Sequence, residues 1–235
     1  MIISGLQKMT LLDYPGKVAC TVFLQGCNFR CPFCHNSDLL GANAQPAYTE
    51  DELLAFLRSR RGLLDAVCIS GGEPTLSPEL PALLRKIRAL GYLTKLDTNG
   101  SRPDVLAALI GEGLLDYVAM DVKNAPSCYA PTCGTQRSDL SSIEESLRLL
   151  MTGDTAYELR TTLVHEMHDA ASIEEMGRWL AGLASPHLPR ALYLQPFVDR
   201  DSVLFSGLNP PSPQDIALYV EILRSYTQHV ALRGE

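Results

Sequence analysis

The chain has 235 residues, 46% of them hydrophobic, which is ample for a sizeable core, and its 20 Lys and Arg against 27 Asp and Glu leave a net charge of -7. No run of basic residues interleaved with aromatics is present, so nucleic-acid binding has no positive support. The N-terminus lacks the basic-then-apolar pattern of a secretory signal and no apolar stretch approaches the roughly 20 residues that cross a bilayer, so the expectation is a cytoplasmic protein with no membrane partner.

Along the chain, short β-branched or apolar runs alternate with longer segments of helical period. A first strand is expected over residues 18–25 (VACTVFLQ). After it, Thr49 opens the helical segment TEDELLAFLRSR with Glu52 three residues on, the pattern of a capping box. A second strand over 66–70 (AVCIS) precedes SPELPALLRKIRALG, where Pro78 is expected in a first helical turn and Gly91 as a stop. Strands over 92–97 (YLTKLD) and 116–122 (DYVAMDV) bracket the helical stripe RPDVLAALIGEG. The helix DLSSIEESLRLLMTG, over 139–153, leads to a strand over 157–164 (YELRTTLV). SIEEMGRWLAGL follows, then a strand over 191–197 (ALYLQPF), the proline-rich loop NPPSP and a last helix, SPQDIALYVEILRSYTQ, over 212–228.

Continuous apolar strands joined by crossover helices predict a parallel α/β sheet covered on its outer face. Six such units suit a partial (β/α)6 TIM-like barrel better than a complete eight-strand one. No internal repeat or interdomain linker is visible, so residues 1–235 are expected to form a single domain, with a core over about 6–197 and a helical C-terminal extension over about 198–235.

In such folds chemistry gathers at the C-terminal edges of the strands, and the unusual residues stand there. QGCNFRCPFCHN follows the first strand, GGEP the second, DTNG closes the third and DVK the fourth; Arg160 and Gln195 fall within the fifth and sixth. Cys27, Cys31 and Cys34 form a C-x3-C-x2-C trio with no fourth cysteine nearby. A structural zinc site completed by His35 is the plain alternative. Adjacent Cys34 and His35 would have difficulty reaching one tetrahedral ion, however, and structural zinc usually pairs two separated knuckles. Three thiolates in one compact loop suit a 4Fe-4S cube, whose soft irons favour sulfur and whose fourth iron can stay open.

Other residues read more plainly. Cys20 and Cys68 fall inside apolar strands as small buried hydrophobes. Cys128 and Cys133, in SCYAPTCG, are expected in a loop; a second cluster from these four cysteines is disfavoured because two are strand-bound. HEMHD, residues 165–169, is not the H-E-x-x-H zinc motif, and its histidines are expected to be solvated. Taken alone, DTNG is a common turn and GGEP an ordinary strand-to-helix connection.

CNFRCPFC resembles the signature of the radical S-adenosylmethionine (SAM) superfamily, including an aromatic residue, Phe33, just before the third cysteine. TLLDYPGKVACTVFLQGCNFRCPFCHN, SGGEPTL, DTNG, YVAMDVKN and ELRTT stand in the order and spacing of the glycyl-radical-enzyme activating proteins, over about residues 6–197. Within these the chain is most similar to the activating protein of anaerobic ribonucleoside-triphosphate reductase. The resemblance implies a radical SAM fold and a 4Fe-4S cluster on Cys27, Cys31 and Cys34. The open iron would chelate the amino and carboxylate groups of SAM, whose reductive cleavage yields a 5'-deoxyadenosyl radical.

By the same resemblance, Gly71 and Gly72 place bare backbone beside the methionine amino group and Glu73 accepts a hydrogen bond from it. Asn99 falls at the SAM site, and Lys123 and Arg160 become cationic partners for the SAM carboxylate. Phe33 and Gln195 would line the adenosine pocket. Asp97, Thr98 and Asp121 fall where related proteins hold a monovalent cation, a hard ion suited to oxygen ligands.

Only 36 residues separate Cys34 from Gly71, too few for the inserted ferredoxin-like domain of some activases. The implied activity is abstraction of a glycine α-hydrogen on a partner glycyl radical enzyme, with anaerobic ribonucleoside-triphosphate reductase as the client. A low-potential electron donor such as flavodoxin or ferredoxin would serve it. Two other readings stay open at this point: a small-molecule radical SAM enzyme of the 7-carboxy-7-deazaguanine synthase type, and a zinc-stabilised binding module.

Overall fold

In the computed structural model of the chain, residues 1–41, 45–136 and 140–233 are described. Their elements are, in chain order, β1 (Ile3–Thr10), β2 (Ala19–Leu24), α1 (Glu50–Ser59), β3 (Ala66–Gly71), α2 (Leu80–Ala89), β4 (Leu93–Thr98), α3 (Pro103–Gly111), β5 (Tyr117–Asp121), α4 (Tyr129–Thr132), α5 (Leu140–Thr152), β6 (Ala156–Leu163), α6 (Ala170–Ala184), β7 (Leu192–Pro196), α7 (Pro213–Leu223) and β8 (Val230–Leu232). The six expected strands appear as β2 to β7, each end within one residue of its predicted place. None of the helices among the described residues is long and apolar enough to cross a membrane.

Two compact units are present. The first comprises Met1–Asn28, Asp38–Thr98 and Asp104–Ala119; the second comprises Phe29–Ser37, Asn99–Pro103 and Met120–Glu235.

In the first unit the strand order is β1-β2-β3-β4-β5. β2, β3 and β4 run parallel in register, Ala19 beside Ala66 and Ala66 beside Leu93. Val22 and Ile69 are fully buried, as expected of strands covered on both faces. β1 runs antiparallel along β2. Thr49 and Glu52 make the predicted capping box at α1, with the Glu52 amide 3.2 Å from Thr49 Oγ1 and the Thr49 amide 2.8 Å from Glu52 Oε2. On α2 the stripe Leu80, Leu83, Leu84 and Ile87 is fully buried, each side chain contributing roughly 1.5–3 kcal/mol of burial free energy. α2 begins at Leu80, two residues after the expected Pro78, with Pro81 in its first turn. The chain is still turning at Pro78: the Ser77 amide bonds the Pro74 carbonyl at 3.0 Å and the Leu80 amide bonds the Ser77 carbonyl at 3.1 Å.

In the second unit the order is β5-β6-β7-β8, with β6, β7 and β8 parallel. α5 buries Ile143, Leu147 and Leu150; the expected first residue of its segment, Asp139, lies outside the described residues. α6 starts at the N-cap Asp169, whose carboxylate accepts from the Ser172 amide at 2.8 Å. α7 stops at Leu223, short of the predicted 228. Past it the chain tightens into i→i−3 bonds, the Tyr226 amide 2.9 Å from Leu223 O, and the Tyr226 ring packs on Gly177 of α6, 2.5 Å from where a Cβ would be. At the far end of the chain, Arg233 grips the fully buried Glu158 of β6 through two bonds of 2.6 Å. Cys128 and Cys133, expected in a loop, belong instead to a 3-10 turn (Pro126–Cys128) and the cap of α4, anchored by the Tyr129 ring packed edge-on to Trp179 at 6.0 Å.

Candidate functional site

In the first unit, β2 delivers the chain through Gly26 to Cys27. Gly26 adopts φ 95°, a value that favours glycine, and its amide bonds the Leu39 carbonyl at 2.7 Å. The end of β3 packs directly on this turn: the Gly72 amide bonds Leu24 O at 2.9 Å and the Glu73 amide bonds Gly26 O at 2.7 Å. A Cβ on Gly71 would fall 2.3 Å from Leu24 O, and one on Gly72 would fall 2.0 Å from Gly26 O. On this face, therefore, the missing side chains make room for the turn that presents Cys27.

Glu73 is almost fully buried and caps the turn Pro74–Leu76. Its Oε1 accepts from the Thr75 amide at 3.1 Å, Thr75 Oγ1 at 2.5 Å and Thr98 Oγ1 at 2.8 Å, so Glu73 and Thr98 are brought together. Asp97 accepts from Lys95 Nζ at 2.5 Å and from Ser70 Oγ at 3.2 Å. Sequence reasoning missed Lys95, which is 1% exposed. A usable signal was present: Lys95 and Asp97 are two apart on β4 and so share a face. Burial pushes the thiols of Cys20 and Cys68 up to about 12, so both are inert fillers as expected.

In the second unit, Asp121 at the end of β5 joins Lys123 and Arg160 in one cluster. Lys123 Nζ donates to Oδ2 and Arg160 Nε to Oδ1, each at 2.9 Å. Burial opposes ionisation of Asp121, but the Arg160 guanidinium and the Lys123 ammonium overcome it and hold the carboxyl well below the usual range. Burial likewise works against the Lys123 ammonium, and Asp121 holds it charged. That ammonium lies 6.0 Å from the centroid of the buried Phe33 ring. Asn99 Oδ1 accepts from the Ser101 amide at 2.9 Å, and Gly100 O accepts from Ser146 Oγ of α5 at 2.7 Å, which fixes the DTNG corner. Gln195 is half-buried on β7, beside Thr162 of β6.

The loop with Cys31 and Cys34 is fastened from two sides. The Arg30 amide bonds Cys133 O at 2.9 Å. From the other side, the Phe205 amide bonds Pro32 O at 3.1 Å, Ser37 Oγ bonds Ser202 O at 2.5 Å and Ser202 Oγ bonds His35 O at 2.7 Å. His35 stacks on Phe197 at 5.5 Å, with Nε2 2.7 Å from Val198 O, which ties its ring to the chain that follows β7. The hydrogen bond with the Cys133 side chain lowers Cys31 to about 7 against the effect of burial, with help from Lys123, whereas burial raises Cys34. His168, expected to be solvated, is buried: its Nδ1 accepts from the Val164 amide at 3.1 Å and its Nε2 is 3.0 Å from Lys123 O. The bend before α6 folds the ring inward, where burial lowers its pKa and keeps it neutral.

Among the described residues no group of three or more His, Cys, Asp or Glu stands gathered to hold a metal ion. The donor chemistry nevertheless fits a sulfur-bound cluster. None of the three cysteines is in a disulfide, the Cys133 side chain lowers the Cys31 thiol to about 7, and a buried hydroxyl, Tyr129, lacks any hydrogen-bond partner in the protein.

Residues 21–153 match the Radical SAM superfamily. A Methanocaldococcus jannaschii protein provisionally named as a glycyl-radical enzyme activating enzyme is 29% identical over 244 aligned residues, covering 99% of this chain and 95% of that protein. A pyruvate formate-lyase-activating enzyme of Clostridium pasteurianum is 37% identical over 103 residues, 42% of this chain and 43% of that one. Among solved structures, a domain of the pyruvate-formate lyase-activating enzyme from Bacteroides vulgatus superposes with TM-score 0.59 at 22% identity, covering 72% of this chain and 99% of that domain. Streptococcus suis SuiB bound to S-adenosylmethionine gives TM-score 0.68 at 13% identity over 91% of this chain and 52% of that one. These likenesses carry the fold, the α/β partial barrel expected from the strand and helix order. With the superfamily match extending over more than half of its 235 residues, the chain belongs to the radical SAM superfamily.

Proposed function

We propose that this enzyme is an activase that cleaves SAM reductively and installs a glycyl radical on a partner enzyme, with anaerobic ribonucleoside-triphosphate reductase as the client. The observation that carries the reading is the alignment with the M. jannaschii protein, which runs through nearly the whole of both chains. The family implies a 4Fe-4S cluster and SAM. Cys27, Cys31 and Cys34 would hold the cluster. When bound, cluster and SAM supply the electron and the cleavable sulfonium from which hydrogen abstraction starts.

The protein's own part is binding and orientation. Asp121 fixes Lys123 and Arg160 side by side, two cations on one anion, and the surplus positive charge suits a carboxylate such as that of SAM. Thr75 and Thr98 lock the Glu73 carboxylate as an acceptor for an amine. In the second unit the Ser101 amide holds the Asn99 side chain, and Phe33 and Gln195 would flank the adenosine. Asp97 already carries the Lys95 ammonium and Asp121 carries two cations of the protein, so we assign these carboxylates to side-chain partners before any monovalent cation.

A match to 7-carboxy-7-deazaguanine synthase of Halobacterium salinarum, 37% identical over 38% of this chain, makes the small-molecule reading the comparison arm. A zinc-stabilised binding module does not accord with the superfamily match. The reaction is placed in the cytoplasm, where thiols stay reduced and flavodoxin or ferredoxin would supply electrons.

The test is anaerobic reconstitution to about four irons per chain, followed by SAM cleavage with and without purified candidate clients. A glycyl doublet in the electron paramagnetic resonance spectrum of the reductase is the expected result, and Cys31→Ala abolishes both iron binding and cleavage. Cleavage that ignores every glycine-loop protein and responds to a soluble purine precursor overturns the reading.

A further inference from the structure

Tyr129 carries the one buried side-chain polar atom among the described residues that has no hydrogen-bond partner. The side chain is 0% exposed. An orphan hydroxyl in a native interior costs free energy and asks for an explanation, since nearly all buried polar groups are paired. The Lys123 main chain and the charges of Cys133, Lys123 and Cys31 all act on this hydroxyl, yet none of them makes a hydrogen bond of normal geometry to it.

The local fold explains why it sits there. The Cys133 amide bonds Tyr129 O at 2.9 Å, a helical turn that sets the two side chains on the same face. Cys133 is fully buried and its side chain hydrogen-bonds Cys31. The contact is held at the backbone as well: the Arg30 amide bonds Cys133 O at 2.9 Å, and Gly134, at φ 64°, lies so close that a Cβ there would be 2.0 Å from Arg30 O. One short turn thus carries an S–H to the cysteine loop of the same unit, with a buried O–H on the same face that feels the charges of Cys133 and Cys31.

We propose that Tyr129 and Cys133 are positioning residues that donate hydrogen bonds to the sulfur of a cluster bound through Cys31, and so set its reduction potential. The inference rests on the cluster assignment made above. Donors aimed at cluster or thiolate sulfur stabilise the more negative, reduced state and raise the potential. The orphan hydroxyl then acquires its acceptor only when the sulfur-rich group is in place.

Reconstituted full-length protein is titrated with dithionite at controlled potential, following the reduced-cluster signal. Tyr129→Phe is expected to keep its irons while the reduced-to-oxidised ratio at fixed poise falls about tenfold, the worth of one hydrogen bond to a charged group, or about 59 mV for a one-electron couple. Cys133→Ala shifts in the same direction and Cys133→Ser returns most of the loss. Cluster-free Tyr129→Phe melts no lower than the parent, because its hydroxyl has no protein partner to lose. A parent-like potential in Tyr129→Phe overturns the inference while leaving the proposed function standing. A clearly less stable cluster-free Tyr129→Phe also overturns it, because the hydroxyl would then have a protein partner. A parent protein that takes up no 4Fe-4S cluster overturns both.

Discussion

Substitution of Gly72 by alanine puts the packing of the cysteine turn to a quantitative test. The added Cβ would sit 2.0 Å from Gly26 O and 3.2 Å from the Cys27 nitrogen. A carbon rests no closer than about 3.3 Å to a carbonyl oxygen, so the Gly26 carbonyl must retreat by more than an ångström. That movement breaks the bond from the Glu73 amide to Gly26 O, now 2.7 Å, and weakens the bond from the Gly72 amide to Leu24 O, now 2.9 Å. Two backbone hydrogen bonds at about 0.5–1.5 kcal/mol each, with about 1–3 kcal/mol of overpacking, give a central expectation of about 4 kcal/mol. For a chain of this size that is a fall in Tm of about 8–16 °C. The assay is thermal and urea unfolding of the cluster-free protein by circular dichroism, with iron content after reconstitution measured in parallel. Because the strain falls on the residue before Cys27, iron uptake should drop with stability. A variant that melts within about 1 °C of the parent and binds a full complement of iron would refute the reasoning.

Three further outcomes follow from particular residues. Arg233→Ala leaves Glu158 as a fully buried carboxylate without its fork of two 2.6 Å bonds and should cost about 3 kcal/mol in urea unfolding, most of it recovered when Glu158→Leu is combined with Arg233→Met. Gly182→Ala, at a helical position of α6 where a Cβ meets nothing within 4 Å, should stabilise the fold by about 0.5–1 kcal/mol. His168 is held neutral, its pKa lowered by burial, so the unfolded chain takes up the proton first. Stability is full above the unfolded histidine value of about 6.5 and declines as pH falls below it, by up to about 1.4 kcal/mol per pH unit, a decline that His168→Gln should flatten.

Much of this was legible in the sequence because burial on both faces leaves its mark as continuous apolar runs. AVCIS and YVAMD could hardly be anything but covered strands. β1 escaped notice because it lies at the edge: ISGLQKMT exposes its later residues and carries no clean alternation. β8 has only three residues, all half-buried, too few to show a period. At the site, the residue types were readable and their partners were not. Gly71 and Gly72 announced a close approach, but only three dimensions reveal that Leu24 and Gly26 make it. Lys95 looks like a solvent-facing strand residue until its neighbours bury it, and His168 looks like a loop residue until the chain bends before α6. Tyr129 and Cys133 stand four apart, a helical spacing hidden by the proline between them.

The segment from Phe29 to Ser37 is finished by residues that come 163 to 167 positions later, through Val198 and Ser202. At a synthesis rate of about 5–20 residues per second, a ribosome needs on the order of ten to thirty seconds after making His35 before it can deliver those fasteners. Two thiols of the trio therefore spend that interval on an unfinished scaffold. The loop's fastening waits on residues 198 to 202, and a message truncated before codon 198 yields a polypeptide with its cysteines present and their splint missing.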